Sequence, residues 1–236
     1  MFDYKPSALQ RWQFTDGELA FQPISYAEPV APARSGGADA AIKRGFDVIV
    51  ALLGLTVFAL PMLIAMLIIR LDSPGPAVFR QRRIGLNGVA FDILKFRTMR
   101  TQDDHGIIRQ ARPMDPRVTR IGRWLRRTSF DELPQLVNVL LGEMSIVGPR
   151  PHAPGTCAAG RPFETVTSRY AERHSVKPGM TGLAQVRGWR GETDTEAKFF
   201  GRLDSDLEYI ETRSLLLDIG IVWRTVFTVL RPRNVW

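Results

Sequence analysis

Two adjacent carboxylates, Asp131 and Glu132, follow a pair of arginines and precede a helical run that leads to Arg150. Acids set among guanidinium groups at a helix start suit phosphoryl chemistry, because helix N-termini and arginines both bind phosphate oxygens. An ionised aspartate attacks phosphorus without first losing a proton to a general base. This spacing predicts an enzyme that acts on a phosphorylated substrate, with Arg126, Arg127 and Arg150 close to the carboxylates.

The same residues also form a capping box, in which Ser129 and Glu132 would cap a helix N-terminus. Pro134 supports a helix start nearby, and the spacing alone favours capping over catalysis. The two interpretations are compatible, because a helix dipole would keep Asp131 ionised and attract phosphate to the same place. Repulsion between the acids and an anionic substrate would then be offset by Mg²⁺ or by arginines.

The chain is basic, with a formal net charge of +8 over 236 residues and a pI of about 10.2. Residues 80–127 carry thirteen Lys and Arg against four Asp and Glu, so the excess is concentrated there. Such a stretch favours anionic partners: nucleic acid, acidic lipid headgroups or phosphorylated substrates. The single cysteine, Cys157, cannot form an intramolecular disulfide, and residues 1–14 lack the pattern of a secretory signal, which favours cytosolic exposure.

Residues 48–69 are free of charge and long enough for a transmembrane helix, which needs about 20 apolar residues. Pro61 interrupts this run, and positive residues flank it on both sides, although positive flanks mark the cytoplasmic side. A re-entrant helix that breaks near Pro61 satisfies both observations. A kinked spanning helix and a buried core helix remain as alternatives. Thr56 carries the nearest hydroxyl that could serve backbone groups freed by a break.

The other patterns place the carboxylate pair within a larger domain. Residues 77–84 and 89–96 read as strands of a hairpin around Asn87-Gly88, and helical patterns run from 118 to 141 with an interruption near Ser129. The final apolar helix, beginning near residue 214, either closes the core or lies at the lipid interface. Asp204, Asp206 and Glu208 alternate like a solvated face. The three histidines show no metal-ligand spacing.

Several blocks in fixed order make the chain resemble the bacterial sugar transferases, the monotopic phosphoglycosyl transferases, from residue 43 to about 232. The blocks are KRGFDVIVALLGL, LDSPGPAVFRQRRIGLNGVAFDILKFRTM, TRIGRWLRRTSFDELPQLVNVLLGEMSIVGPRP, RHSVKPGMTGLAQVRG and SDLEYIETRSLLLDI. The resemblance implies transfer of a sugar-1-phosphate, with glucose or galactose expected, from a UDP-sugar to polyprenyl (undecaprenyl) phosphate. UMP is released, and the reaction is the first membrane step of exopolysaccharide synthesis.

The resemblance also implies roles for individual residues. Asp131 would be the nucleophile that forms a phosphosugar-aspartyl intermediate, and Glu132 would assist attack by the lipid acceptor. Mg²⁺ is the implied cofactor, with Asp131 and Asp206 as the acids associated with it. Four basic residues are implied to bind phosphate or nucleotide: Lys95, Arg126, Arg150 and Lys177.

The expected architecture is α+β, mostly helical with a small β-hairpin. It would be a monotopic membrane protein with a proline-broken re-entrant helix and amphipathic interfacial helices. Residues 1–40 would form a poorly ordered lead, 41–72 the membrane helix and 73–236 the cytosolic catalytic domain. Family members often have a serine before the proline at the break, whereas this chain has Ala59-Leu60-Pro61.

The expected location is the cytoplasmic face of the bacterial inner membrane. The expected partners are the UDP-sugar donor, the polyprenyl phosphate acceptor and inner membrane lipids, and no nucleic acid is expected. Downstream glycosyltransferases are further candidates. The expected assembly is a monomer or a homodimer. A different function, a non-enzymatic membrane-bound adaptor, would use the basic stretch to bind acidic lipid or nucleic acid.

Overall fold

The computed structural model describes residues 11–15, 18–22, 37–100, 115–158, 160–189, 191, 193 and 195–230. For 11–15, 18–22 and 230 it describes the backbone alone. Within these ranges the chain is mostly helical with small two-stranded sheets, which confirms the α+β prediction at that level.

The elements follow one another in a fixed order along the chain. The helices are α1 (Gly37–Asp72), α2 (Arg120–Arg127), α3 (Gln135–Leu141), α4 (Phe163–Val166), α5 (Leu183–Val186), α6 (Glu196–Thr212) and α7 (Leu215–Leu230). The strands are β1 (Arg11–Thr15), β2 (Glu18–Gln22), β3 (Val78–Ile84), β4 (Ala90–Phe96), β5 (Ser145–Val147), β6 (Cys157–Ala158), β7 (Arg161–Pro162) and β8 (Gly179–Thr181). Three 3-10 segments lie at Leu86–Gly88, Phe130–Glu132 and Ser168–Ser175.

The lead predicted at 1–40 lies largely outside the described residues. Its described parts are β1 and β2, which pair antiparallel, and the first residues of α1.

The predicted hairpin is confirmed, with β3 and β4 paired antiparallel from Val78↔Phe96 to Ile84↔Ala90. Asn87 and Gly88 have φ values of 52° and 74°, the left-handed region that Asn-Gly turns require. Phe91 and Ile93 lie buried on one face of the hairpin, which therefore packs on the core.

Helix α1 is the one described helix long and apolar enough to cross a membrane, by length and composition. It continues through Pro61, so the predicted break does not interrupt the helix. Proline removes one backbone hydrogen bond and bends a helix without having to end it. Thr56 donates to the carbonyl of Leu52 at 2.9 Å, within its own turn, and so does not serve the carbonyl of Val57 that Pro61 leaves without its helical donor.

The N-terminal part of α1 is fixed to the core by Asp47, which is 2% exposed. Its Oδ1 accepts hydrogen bonds from the Ser145 hydroxyl at 2.9 Å and from the Ile146 amide at 3.0 Å. Lys43 joins Asp47 to Asp218 of α7, at 3.2 and 2.7 Å. One buried carboxylate thus connects the membrane helix to β5 and, through Lys43, to the last helix.

The C-terminal part of α1 is fixed to the same domain by the buried Arg97. Its guanidinium donates to the carbonyls of Ile69, Ser73 and Pro74 at 3.2, 2.5 and 2.7 Å. These carbonyls lie at and beyond the helix C-terminus, where a cation is favourable. Both ends of the apolar helix are therefore held by one folded unit.

Strand β5 pairs in parallel with β8, which fixes the path of the chain into residues 148–151. A Cβ on Gly179 would collide with the backbone of Gly148, so glycine is required for this close approach.

Helix α7 closes the core with one face, while contact of its other face with lipid stays a prediction. Asp218 and Ile221 are buried against the core, whereas Leu216 and Trp223 are 81% and 65% exposed. The exposed face is apolar and has no cover within the described chain.

We predict that Asp47→Ala destabilises the fold by about 3 kcal/mol, because the buried Ile146 amide and Ser145 hydroxyl lose their acceptor and Lys43 loses a partner. Thermal unfolding in detergent should show a lower midpoint for this variant. The matched control is Asp39→Ala, at an exposed position of the same helix, which should leave the midpoint unchanged. Equal midpoints for the two variants would contradict the role given to Asp47.

Candidate active site

The carboxylate pair lies in the short 3-10 turn Phe130–Glu132, between α2 and α3. Ser129 enters this turn in the left-handed conformation, with φ of 56°, and its side chain caps nothing. The Glu132 side chain is directed to cations instead of back to the turn. The capping-box interpretation is therefore wrong, because the φ of Ser129 and the cations that bind Glu132 replace the reciprocal bonds of a capping box.

Phe130 anchors the turn in a cluster of aromatic rings. Its ring lies 5.9 Å from Trp124, 6.2 Å from Phe58 and 6.3 Å from Phe96, measured between centroids. Phe58 belongs to α1, so the turn that carries Asp131 packs directly on this apolar helix. Asp131 directly follows Phe130 in the sequence, so the packing of the Phe130 ring fixes the position of Asp131.

Glu132 is held by two cations. Lys95 donates to Oε1 at 2.9 Å, and Arg150 donates through both terminal nitrogens, to Oε2 at 3.1 Å and to Oε1 at a shorter separation. Burial would raise the pKa of Glu132, but Arg150 and Lys95 hold it well below the usual range. Glu132 is therefore ionised, and its carboxylate is bound by Lys95 and Arg150.

Asp131 is 9% exposed and makes no hydrogen bond or ion pair with any described residue. Burial, followed by the charge of Glu132, raises its pKa to about 6, while Lys95 and Arg126 act in the opposite direction. The expected helix dipole does not lower the pKa of Asp131, because the residue lies in a three-residue turn and burial dominates. Near neutral pH the carboxylate is mostly charged and uncommitted.

Arg126 completes the surroundings of this carboxylate. It comes from the last turn of α2 and donates through Nε to the Thr98 hydroxyl at 2.8 Å. Burial lowers the pKa of Arg126, and the charge of Asp131 opposes that shift. The structure thus brings Arg126, Lys95 and Arg150 to the carboxylate pair, and their binding of phosphate or nucleotide stays a prediction.

Two of the residues implied for the site lie elsewhere. Lys177 has its Nζ beside Gly142, 3.5 Å from where a Cβ would stand, and its pKa is lowered by burial and then by Arg44. Asp206 is 2% exposed and accepts from Arg173 at 2.6 Å. It is therefore no part of a solvated face, and it makes no contact with Asp131 within the described chain.

The donor set fits Mg²⁺ only in part. This ion binds proteins through one or two carboxylates together with substrate phosphates, and the uncommitted Asp131 could provide one of these. Asp206 does not fit as its companion, because Arg173 occupies its carboxylate. Among the described residues no group of three or more His, Cys, Asp or Glu could hold a metal ion.

Sequence reasoning missed two arginines near the site. Arg173 donates to the backbone carbonyl of Arg150 at 2.8 Å while it binds Asp206, so this buried pair supports the chain segment that carries Arg150. Arg83 lowers the pKa of Lys95, and Glu132 raises the pKa of Arg83. Strand alternation could have found Arg83, because the confirmed hairpin register places it on the buried face.

We predict that Asp131→Asn stabilises the folded protein at pH 8 but hardly at pH 4. The folded pKa of Asp131 is about 6 and its ordinary value is 3.8, so the folded wild type binds more protons and loses stability as pH rises between these values. Asparagine does not titrate, and the gain should approach about 3 kcal/mol above pH 6. Unfolding midpoints at both pH values test this, and a gain independent of pH would contradict it.

Comparison with known proteins places these residues in a family. The family model described as bacterial sugar transferase matches residues 38–232. The chain is 50% identical over 194 residues to the exopolysaccharide production protein PSS of Rhizobium leguminosarum bv. phaseoli, covering 81% of this chain and 96% of that protein.

Two further relatives are named UDP-glucose:undecaprenyl-phosphate glucose-1-phosphate transferase. The one from Escherichia coli (strain K12) is 47% identical over 191 residues, covering 81% of this chain but only 40% of its own length. The one from Caulobacter vibrioides is 50% identical over 194 residues, covering 82% of this chain and 72% of its own length. With a family model that matches most of its length and relatives at this level of identity, the chain belongs to the bacterial sugar transferase family.

Proposed function

We propose that this protein transfers glucose-1-phosphate from UDP-glucose to undecaprenyl phosphate and releases UMP, in exopolysaccharide synthesis. The observation that carries the proposal is the asymmetry of the carboxylate pair: Glu132 is bound by Lys95 and Arg150, while Asp131 is uncommitted among the same cations. Relatives at 43–50% identity are named for UDP-glucose, and one at 40% is named for UDP-N-acetylgalactosamine, which supports glucose over other sugars.

In the first step, an Asp131 oxygen attacks the sugar-bearing phosphorus of the donor. A bond forms between that oxygen and phosphorus, the bond from phosphorus to the bridging oxygen breaks, and its electron pair leaves with UMP. Lys95, Arg126 and Arg150 oppose the repulsion between carboxylate and phosphate and stabilise the charge that develops. Mg²⁺, held by Asp131 and the diphosphate, would add the same kind of charge stabilisation.

In the second step, the phosphate oxygen of the lipid acceptor attacks the phosphosugar-aspartyl ester and releases Asp131. Glu132 lies next to the ester and assists this step, although its low pKa makes it a poor base while both cations are bound. Its contribution is therefore to hold Lys95 and Arg150 in place for both steps, with proton transfer from the acceptor as a further role.

The membrane topology we propose is monotopic, at the cytoplasmic face of the inner membrane. A spanning helix would separate its ends by a hydrocarbon core of about 30 Å. Here Asp47 near one end accepts from the Ile146 amide, and the Ile69 carbonyl near the other end accepts from the Arg97 side chain, so one folded domain contacts both ends. This supports an apolar helix that enters one leaflet, bends at Pro61 and returns.

The uncovered apolar faces support contact with lipid. Residues of α1 such as Leu60 and Leu63 are 66% and 59% exposed, and Trp223 of α7 is similarly open. A monomeric domain in water rarely leaves such faces uncovered. We infer that both helices lie in the membrane interface, with α7 as an amphipathic helix.

The adaptor alternative has no observation in its favour. Several cations of the basic stretch are committed inside the protein, including Arg97 at the end of α1 and Lys95 at Glu132. They are not displayed as a continuous face for nucleic acid or lipid.

We predict that the purified protein with Mg²⁺ releases UMP from UDP-glucose before any lipid acceptor is added, in an amount close to one UMP per protein. A phosphosugar adduct should appear by mass spectrometry on the peptide that contains Asp131. Asp131→Asn should lower UMP release by about a thousandfold or more, because it removes the nucleophile. The control is Asp204→Asn, at an exposed position of α6. Full turnover by Asp131→Asn would refute the covalent mechanism.

We predict that single cysteines at Ala40 and Pro76, in a Cys157→Ser background, label from the cytoplasmic side only. Both positions are exposed, and Cys157 is exposed and must be removed to avoid background. Labelling of inverted and right-side-out membrane vesicles with an impermeant maleimide measures the side. Labelling of the two positions from opposite sides would exclude the re-entrant topology.

A further inference from the structure

Arg83 lies on the inner face of the β3–β4 hairpin, beside the cations that surround the carboxylate pair. It pairs across the hairpin with the buried Phe91 and follows Gln81 on the same face. Its guanidinium donates to the carbonyl of Pro151 at 3.3 Å and to the Gln81 side chain at 2.6 Å. Arg83 therefore points towards the segment that carries Arg150.

The hydrogen bonding of Arg83 is incomplete. Its Nε is buried and has no hydrogen-bond partner among the described residues. A guanidinium presents Nε–H and a terminal N–H as a planar fork that matches two oxygens of one phosphate. Buried polar groups are ordinarily satisfied, so an open Nε at a cluster of charges indicates a ligand that is bound during function.

The charges around Arg83 indicate that this ligand is an anion. Arg83 adds a fourth cation to Lys95, Arg126 and Arg150, whereas Asp131 and Glu132 are the two acids. Burial, followed by the charge of Arg150, lowers the pKa of Arg83 to about 10, and the charge of Glu132 opposes this shift. The excess of two positive charges in this cluster matches a diphosphate better than a neutral group.

The position of Arg83 relative to Asp131 indicates which of the two phosphates of a nucleoside diphosphate-sugar it binds. The charged groups that shift the pKa of Asp131 are Glu132, Lys95, Arg126 and Arg150. Arg83 is not among them: it donates to the carbonyl of Pro151, next to Arg150, and it lowers the pKa of Lys95, so it lies one step further from the attacking oxygen. An attacked phosphorus next to Asp131 would place the neighbouring phosphate, which leaves with the nucleoside, on the side of Arg150 and Arg83.

We infer that Arg83 binds the departing nucleoside phosphate, through Nε and a terminal N–H. This inference rests on the proposed function, because it takes a nucleoside diphosphate-sugar as the donor. Arg83 stabilises the negative charge that UMP gains when the bond to the bridging oxygen breaks. It acts on the first step and has no part in binding the lipid acceptor.

The test compares Arg83→Gln with Arg82→Gln, the neighbouring arginine on the outer face, whose side chain is 61% exposed. UMP binding is measured by calorimetry on protein in nanodiscs, with no turnover. Loss of charge-assisted hydrogen bonds should raise the Kd for UMP by about tenfold or more in Arg83→Gln and leave it within about twofold in Arg82→Gln. The kcat/KM for undecaprenyl phosphate should stay unchanged in both, because it reports the second step alone.

Arg83→Lys provides a second variant if the glutamine variant does not fold, since it keeps the charge and loses the fork. It should weaken UMP binding by less than glutamine does. Unchanged UMP affinity in a folded Arg83 variant would overturn the inference. Equal losses for UMP and for undecaprenyl phosphate would overturn it too, since they would indicate a structural role. If the wild type neither binds UMP nor releases it from UDP-glucose, the proposed function fails instead.

Discussion

The attachment of α1 at both ends is the constraint on which the rest of the structure depends. Asp47 binds the backbone of β5 and Arg97 binds the carbonyls at the other end, although the helix between them is apolar and largely exposed. The turn that carries Asp131 lies beside the helix, between these two attachments. Phe58, packed on Phe130, joins the two directly. A lipid phosphate and a soluble nucleotide-sugar could therefore meet at Asp131.

The proposed reaction depends on a difference between the two adjacent carboxylates, Asp131 and Glu132. Lys95 and Arg150 bind Glu132, which lowers its pKa and leaves Asp131 without a hydrogen-bond partner in the described chain. Burial then raises the pKa of Asp131 to about 6, which is close to neutral pH. A buried, uncommitted carboxylate destabilises the folded state, but the same lack of partners makes it available for attack on phosphorus.

Local patterns predicted much of the fold and part of the site. The hairpin turn at Asn87-Gly88, the interruption at Ser129 and the final apolar helix depend on nearest neighbours, and the structure has them where the sequence placed them. The prediction that Ser129 caps a helix was wrong. Its spacing to Glu132 fits a capping box, but its backbone takes the left-handed conformation. The prediction that Asp206 lies on a solvated face was also wrong, because Arg173, which is distant in sequence, pairs with Asp206 inside the protein.

The sequence by itself determined the family, the candidate nucleophile and the apolar segment, because these follow from residue types in a fixed local order. Only the tertiary structure decided which basic residues surround Asp131. Lys95 and Arg126 reach it from a strand and a helix that are apart in sequence, whereas Lys177 lies beside Gly142. It also decided that Arg83 lies beside this cluster of cations, with a buried Nε that has no partner in the described chain. Burial and charge pairing depend on long-range packing, and one-dimensional spacing does not contain that information.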